Sequence, residues 1–172
     1  MFLLDDVILD EDVLQLRIDK ETEAYFPEKW YDLDTEHRYQ KACLALTKIV
    51  SQYYDLSTFS GYEFWIHHNT RPQQWHIDKD EKAMDEKGVL SCPLCSIVYY
   101  PLVEDVTGGR LCLLDEDLGT DVVIVPKQNR LIVFPSGQRH YVEPFEGKRV
   151  SFIINPWDKS KYLYPDKGIF PF

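Results

Sequence analysis

The sequence predicts an α+β fold in which a helix near the N-terminus supports an all-β core. Three observations indicate this: one long amphipathic stretch, a following series of short apolar segments, and turn residues between those segments. Many short strands separated by glycine and proline are typical of a β-sandwich or a β-barrel. At 172 residues the chain has the usual length of one domain, so we expect a single domain over 1–172.

The composition narrows the classes of function. Hydrophobic residues make up 44% of the chain and aromatic residues 14%, which excludes low-complexity disorder. No run of about 20 apolar residues is available for a transmembrane helix. The net charge of −10 disfavours a nucleic-acid partner or a membrane-surface partner, because both carry negative charge.

The first residues and the cysteines indicate a cytoplasmic protein. The opening apolar residues are followed at once by Asp5 and Asp6, whereas an export signal needs a basic start and a longer apolar core. The cysteines are too few and too scattered for a disulfide-built domain, and we expect free thiols. They are Cys43, Cys92, Cys95 and Cys112.

Residues 1–60 are predicted to form the N-terminal support. Strand-like stretches lie at 7–9 and 14–18, and a helix is expected over about 35–54. Asp34 or Thr35 can cap that helix, since their side-chain oxygens can accept hydrogen bonds from its first turn. Apolar residues then recur at three- and four-residue steps and form one apolar face. They are Tyr39, Ala42, Cys43, Leu46, Ile49, Val50 and Tyr53.

The β core is predicted over residues 61–157. The strand candidates are 62–68, 96–102, 110–114, 121–125, 130–134 and 149–154. Residues 158–172 form an aromatic tail, which we expect to fold back on the core because so many exposed aromatic rings would promote aggregation. Its aromatic residues are Tyr162, Tyr164, Phe170 and Phe172.

His76, Asp78 and His140 are candidate metal ligands. Residues two apart in an extended segment point to the same side, so His76 and Asp78 present an imidazole and a carboxylate to one space. With His140 from a distant strand they would form a set of two histidines and one carboxylate, which suits Fe(II) and leaves coordination positions open. Taken alone, a His-X-Asp triplet is more often a hydrogen-bonded surface pair.

Arg149 is a candidate anion-binding residue. It follows His140 by nine residues, and strand alternation puts it on one face with Ser151 and Ile153. A guanidinium inside a barrel is costly unless it pairs with an anion, and a bidentate carboxylate of a ligand would supply one. The alternatives are an arginine that faces solvent, or one that pairs with a protein acid such as Glu143.

Five motifs occur in a fixed order along the predicted core. They are His76-Ile77-Asp78, residues 96–100, residues 108–111, residues 129–136 continuing to His140-Tyr141-Val142, and Arg149-Val150-Ser151-Phe152. In order and spacing they resemble the Fe(II)/2-oxoglutarate-dependent oxygenases, most closely the prolyl-hydroxylase-like branch. The resemblance covers about residues 61–157. It implies a double-stranded β-helix core, a jelly-roll or cupin-like barrel.

The resemblance also implies which residues form the site. The Fe(II) ligands, and hence the catalytic centre, would be His76, Asp78 and His140. Arg149 would pair with the distal carboxylate of the co-substrate 2-oxoglutarate. Tyr100 would support that carboxylate, although strand register decides between Tyr100 and its neighbour Tyr99. The further cofactor-binding residues would be the hydroxyl-bearing Ser151 and the apolar wall residues Leu111, Val98 and Leu131.

The implied reaction uses Fe(II), O2 and 2-oxoglutarate to hydroxylate a substrate C–H bond, with release of succinate and CO2. We expect the substrate to be a protein or peptide, with proline as a candidate target. A free small molecule such as an amino acid is the first alternative, and a non-catalytic cupin-like module is the second. An inward Arg149 argues against that module. Collagen-type prolyl hydroxylases have lysine at the position of Arg149, so their substrate class does not carry over.

Four further features have two interpretations each. The charged segment 79–87 is either a lid over the site or a solvated loop. Cys92 and Cys95 resemble half of a zinc site, but incidental thiols are the better interpretation because no second pair exists. His67 or His68 either lines the pocket or is a buried histidine. The aromatic residues of these strands form either a substrate wall or core. They are Tyr62, Trp65 and Trp75.

Overall fold

Ten strands and two helices make up the described part of the chain in a computed structural model, which covers residues 1–7, 26–68, 72–115 and 119–158. The helices are α1, Gln40–Val50, and α2, Glu81–Lys87. The strands are β1 Phe2–Asp5, β2 Phe26–Asp32, β3 Gly61–His67, β4 Gln73–His76, β5 Cys95–Gly108, β6 Leu111–Asp115, β7 Thr120–Ile124, β8 Arg130–Pro135, β9 His140–Val142 and β10 Phe145–Trp157.

The strands form two antiparallel sheets. A six-stranded sheet has the order β1-β8-β5-β10-β3-β2, and a four-stranded sheet has the order β4-β9-β6-β7. Both sheets contribute to one buried apolar cluster, consisting of Val98, Tyr100, Leu111, Leu113, Ile124, Ile132, Phe134 and Val142. Two sheets closed over a common interior confirm the predicted double-stranded β-helix core.

Strand alternation divides the six-stranded sheet between two interiors. On β5, Val98 and Tyr100 belong to the cluster between the sheets, whereas Ile97 and Tyr99 belong to a second cluster on the other face. Successive side chains of a strand point to opposite faces, so one strand serves both clusters. The second cluster also contains Cys43, Leu46 and Val50 of α1. The helix therefore supports the outside of the sheet, as the sequence predicts.

The predicted start and cap of this helix are wrong. The helix begins at Gln40, and no side chain caps its N-terminus. The backbone N–H of Thr35 donates to the carbonyl oxygen of Asp32 over 3.0 Å, so the proposed cap residues belong to a separate turn before the helix. Burial of one face positions the helix instead. The predicted stripe is buried except for half-buried Ile49 and for Tyr53, which lies beyond the helix and is 57% exposed.

The N-terminal part also supplies both edge strands of the larger sheet. β1 pairs with β8, and β2 pairs with β3. β1 ends at Asp5, and most of the strand predicted at 7–9 lies outside the described residues. The stretch at 14–18 lies outside the described residues, as do residues 159–172 with the predicted aromatic tail. Neither helix of the described part is long and apolar enough to cross a membrane.

The charged segment 79–87 is mostly the helix α2, so its interpretation as a loop is wrong. The Asp80 carboxylate accepts a hydrogen bond from the backbone N–H of Ala83 over 2.9 Å, which caps the first turn. Gly88 ends the helix in the left-handed conformation, with φ 64°. Both end signals are present in the sequence, but high charge concealed them. The four cysteines are free thiols, as expected.

Asp5 fastens the edge strand β1 to β8, and its substitution is predicted to have a pH-dependent effect. Its carboxylate accepts from Nε of Arg130 over 2.7 Å, Nη2 of Arg130 over 3.0 Å and Nζ of Lys127 over 3.0 Å. Hydrogen bonds from Arg130 and then Lys127 hold the pKa of Asp5 well below its usual range. A carboxyl with a lowered pKa stabilises the fold above its unfolded pKa of about 4 and loses this contribution as the pH falls further.

Asp5→Asn should therefore lower the melting temperature at pH 7, and the difference from wild type should shrink as the pH falls below about 4. Thermal unfolding monitored by circular dichroism, at pH 7 and at a pH below about 4, measures the two melting temperatures. The matched control is Asp6→Asn, because the Asp6 side chain is 72% exposed and approaches Lys127 only to 3.9 Å. Equal effects of both substitutions at pH 7 would contradict a fastening role for Asp5.

Candidate active site

The three predicted ligand residues meet in the cleft between the sheets. His76 ends β4, Asp78 follows two residues later, and His140 begins β9 directly opposite His76 in the antiparallel ladder. Oδ1 of Asp78 lies 3.9 Å from Nε2 of His76 and 3.8 Å from Nε2 of His140. One ligand atom from each residue falls within 4.8 Å of the other two. This is a compact donor set of two imidazoles and one carboxylate.

Backbone carbonyls orient both imidazoles. Nδ1–H of His76 donates to the carbonyl oxygen of Gln74 over 2.7 Å, and Nδ1–H of His140 donates to that of Gln138 over 2.8 Å. A carbonyl can only accept, so each Nδ1 carries the proton and each Nε2 presents its lone pair to the common space. Burial lowers the pKa of His140, which favours its neutral form. Neutral imidazole is the form that binds a metal ion.

Ser96 orients the carboxylate. Its hydroxyl donates to Oδ2 of Asp78 over 2.6 Å, and the serine is only 1% exposed. Oδ1, the other oxygen, is the one that faces the two imidazoles. The sequence analysis did not assign Ser96 to the site. The available signal was alternation, since Ser96 precedes the predicted cleft residues Val98 and Tyr100 by steps of two.

A cleft extends from this cluster to Arg149. Five of the six predicted cofactor-binding residues line it: Arg149, Tyr100, Ser151, Leu111 and Val98. Leu131 does not, because it lies in the outer cluster beside α1, one position out of phase with the inward-facing Ile132. Tyr99 also lies in the outer cluster, and its hydroxyl donates to Oδ1 of Asn129 over 3.0 Å. Register therefore selects Tyr100 for the cleft.

The Arg149 guanidinium is buried without a carboxylate partner among the described residues. Arg149 is 1% exposed, and its Nη1 donates to the carbonyl oxygen of Gly109 over 2.7 Å. Nη2 donates to Nδ1 of His67 over 3.0 Å. In the part of the chain described here, Nε has no hydrogen-bond partner. The Phe145 ring lies 4.2 Å from the guanidinium carbon. The hydrogen-bond and ring contacts that this cation makes with the described residues are all neutral.

The protein acid that the sequence offered as a partner for Arg149 is used elsewhere. Glu143 accepts two hydrogen bonds of 2.6 Å from Arg110. Burial lowers the pKa of Arg149, yet a guanidinium stays protonated in proteins. Burial also raises the pKa of Tyr100 to about 12, so its hydroxyl stays protonated and can donate. The lining of the cleft thus combines a buried cation and a hydroxyl donor, Arg149 and Tyr100, with the candidate metal-ligand set around Asp78.

The remaining predicted residues separate into cleft and non-cleft positions. Trp65 and His67 line the cleft. Tyr62 is fully buried in the outer cluster, so it is core. Trp75 is 39% exposed, with its ring centroid 4.4 Å from that of Tyr141. His68 is half-buried and is absent from the lining of this cleft.

The likeness to solved structures concerns the fold. A prolyl-4-hydroxylase from Pseudomonas putida is 18% identical with a TM-score of 0.67, over 92% of this chain and 84% of that one. A Trichoplax adhaerens prolyl hydroxylase, solved with a hypoxia inducible factor oxygen degradation domain peptide, is 16% identical with a TM-score of 0.63, over 93% and 84%. A 2OG-Fe(II) oxygenase family oxidoreductase from Burkholderia pseudomallei is 15% identical with a TM-score of 0.52, over 87% and 80%.

Sequence comparison identifies the family. No curated protein matches this chain. The family model of the 2OG-Fe(II) oxygenase superfamily matches residues 62–157, more than half of the chain. The matched range includes His76, Asp78, His140 and Arg149. The chain therefore belongs to the 2OG-Fe(II) oxygenase superfamily.

Proposed function

We propose that this oxygenase hydroxylates a C–H bond of a protein or peptide, and that a single cleft holds Fe(II) at one end and 2-oxoglutarate along its length. His76, Asp78 and His140 would hold the metal ion. Arg149, Tyr100 and Ser151 would bind the co-substrate, with Leu111 and Val98 as apolar walls. The observation that carries the proposal is the buried guanidinium in the same cleft as a compact metal-ligand set.

The residues fit both groups. Two neutral imidazoles and one carboxylate suit Fe(II) and leave positions open for other ligands. At the other end, the orphaned Nε of Arg149 and the donors around it suit a carboxylate. 2-Oxoglutarate has a metal-chelating oxo acid at one end and a carboxylate at the other, which matches these two ends of the cleft. When bound, Fe(II) with O2 and 2-oxoglutarate supplies the oxidising chemistry and releases succinate and CO2.

The protein contributes orientation, charge pairing and exclusion of water. The carbonyls of Gln74 and Gln138 fix the tautomers of the two histidines, and Ser96 fixes the rotamer of Asp78. Arg149 compensates a negative charge that would otherwise be costly to bury. The protonated Tyr100 hydroxyl donates from the same side. Val98 and Leu111 exclude water from the path between the two ends.

The position of the candidate metal-ligand residues supports a polymeric substrate. The His76 side chain is 37% exposed, whereas those of Asp78 and His140 are 9% and 7% exposed. One side of the cluster is therefore open to solvent, and a peptide segment can reach it without entering a closed chamber. The net charge of −10 favours neutral or basic segments over nucleic acid. A prolyl residue is the proposed target, and a free amino acid is the alternative.

The proposal predicts that co-substrate and metal are recognised together. Under anaerobic conditions, Fe(II) and 2-oxoglutarate together should give a weak visible absorption band that neither gives alone, and Asp78→Ala should abolish it. In air, wild type should form succinate from 2-oxoglutarate in a reaction that proline-containing peptides accelerate. Folded wild-type protein without the band would contradict the proposed site. Acceleration by free amino acids but by no peptide would favour the alternative substrate.

Arg149→Gln should weaken binding of 2-oxoglutarate by about tenfold to a hundredfold while leaving Fe(II) affinity nearly unchanged, because charge-assisted hydrogen bonds contribute about 1.5–3 kcal/mol each. Anaerobic titrations of metal and co-substrate measure the two affinities separately. Arg110→Gln is the matched control, since Arg110 pairs with Glu143 and does not line the cleft. Parallel loss of both affinities in Arg149→Gln would indicate a structural role.

Ser96→Ala should have the opposite pattern to Arg149→Gln: it should weaken metal binding and leave binding of 2-oxoglutarate unchanged. Loss of the hydrogen bond to Oδ2 frees the Asp78 carboxylate to rotate, and loss of such a partner typically weakens metal binding about 10–100-fold. Ser96→Thr keeps the hydroxyl and should restore most of the affinity. At saturating metal, binding of 2-oxoglutarate should match wild type. An unchanged metal affinity in Ser96→Ala would mean that backbone packing alone orients Asp78.

A further inference from the structure

We infer that His67 is a positioning residue. It holds Arg149 through an uncharged acceptor and so leaves the arginine's positive charge uncompensated until the co-substrate binds. The inference rests on the proposed role of Arg149 in binding 2-oxoglutarate. It assigns to His67 a function in charge selection, beyond lining the cleft.

The contact fixes the protonation state of His67. Its Nδ1 lies 3.0 Å from Nη2 of Arg149, and the two residues are 8% and 1% exposed. A guanidinium has only donors, so Nδ1 must be the acceptor and the ring is the neutral tautomer with its proton on Nε2. The β3–β10 ladder pairs His67 with Ser151, two residues from Arg149. Strand register therefore sets this contact.

Two other arginines of the described part have a different type of partner. Arg130 donates to both carboxylate oxygens of Asp5, and Arg110 donates to both of Glu143. Both carboxylates neutralise the arginine that they hold. At Arg149 an imidazole accepts from Nη2 alone and Nε has no partner in the described part, although burial makes a counter-charge more valuable there.

The other contacts of the Arg149 guanidinium with described residues are neutral as well. The carbonyl oxygen of Gly109 accepts from Nη1, and the Phe145 ring packs against the cation. Gly109 has φ +68°, and a Cβ there would lie 3.2 Å from Nη1 and 3.0 Å from Cβ of Phe145. A side chain at position 109 would therefore crowd the arginine. Neutral acceptors fix the direction of the guanidinium and leave its charge to be compensated by a bound anion.

This arrangement exchanges stability for affinity. A buried cation without a counter-ion costs folding free energy, so a carboxylate at position 67 would stabilise the empty protein. The same carboxylate would occupy the guanidinium and repel the incoming anion. Stability and co-substrate affinity should therefore move in opposite directions when position 67 gains a negative charge.

The test compares His67→Asn with His67→Asp, because these side chains have the same shape and differ by one charge. Calorimetry measures 2-oxoglutarate binding to Mn(II)-loaded protein without oxygen, and thermal unfolding measures the metal-free protein without co-substrate. We expect His67→Asn to bind within a few-fold of wild type. His67→Asp should bind at least about tenfold more weakly, as expected for like charges brought together. His67→Asp should also melt above His67→Asn at pH 7.

Equal affinities of the two variants would overturn the inference, as would an Asp variant that binds more weakly but melts below the Asn variant. An Asn variant that loses affinity as strongly as the Asp variant would also overturn it, because shape rather than charge would then govern the site. Failure of the proposed function is distinguishable, since wild-type Mn(II)-loaded protein would then not bind 2-oxoglutarate at all. Mn(II) affinity itself should be equal in the three proteins.

Discussion

A positive charge enclosed between two sheets, with no negative side chain bonded to it in the described part of the chain, is the constraint on which the site depends. Arg149 pairs with Val103 of β5 and lies on β10 two residues before Ser151, where pairing with β3 begins. Its hydrogen bonds and its ring contact in the described part come from neutral groups, which satisfy some of its donors and leave its charge uncompensated. The net charge of −10 says nothing of this local cation, and among the described residues the cleft also contains the Asp78 carboxylate. The protein is acidic as a whole and carries a buried cation at the point where we propose that an anion binds.

The alternation of β5 and β10 explains how a chain of this size forms both a stable core and a polar cleft. On β10, Arg149, Ser151 and Ile153 face the cleft, whereas Val150, Phe152 and Ile154 pack in the outer cluster. Every site residue of this strand thus has an apolar neighbour packed beneath α1. A site built on strands that are packed from behind has little freedom to shift, which suits chemistry that tolerates small positional errors poorly.

The sequence was sufficient for the parts of the site that depend on local spacing. His76 and Asp78 share a face because they are two residues apart. His140 and Arg149 line the same cleft from different sheets, so the expectation that they lie on neighbouring paired strands is wrong. The partners of these residues were not accessible in the same way. Ser96 reaches Asp78, and His67 reaches Arg149, only through a register that links distant strands.

The errors have the same physical origin. Leu131 was placed on the cleft side because a one-residue change in phase sends a side chain to the opposite face, and nothing local sets that phase. The helix start was placed at Asp34 or Thr35 because both are good cap residues, but those residues form a turn and tertiary burial sets the start of α1. Conversely, the sequence contains both end signals of α2, Asp80 and Gly88, but the high charge of segment 79–87 led to its interpretation as a lid or a loop. Local chemistry thus predicted the functional groups, and long-range pairing determined their supports.

The opposition of His76 and His140 across the β4–β9 ladder has a mechanical consequence. β4 is a four-residue strand at the edge of the smaller sheet, with β9 as its neighbour in the described part of the chain. An ion held by these two residues and by Asp78 would cross-link β4, β9 and the segment that leads into α2. Free energy of metal binding would then be distributed partly to local order in this edge. The candidate metal ligands thus lie at an edge of the smaller sheet, so a bound ion would join β4 to β9 as well as take part in the chemistry.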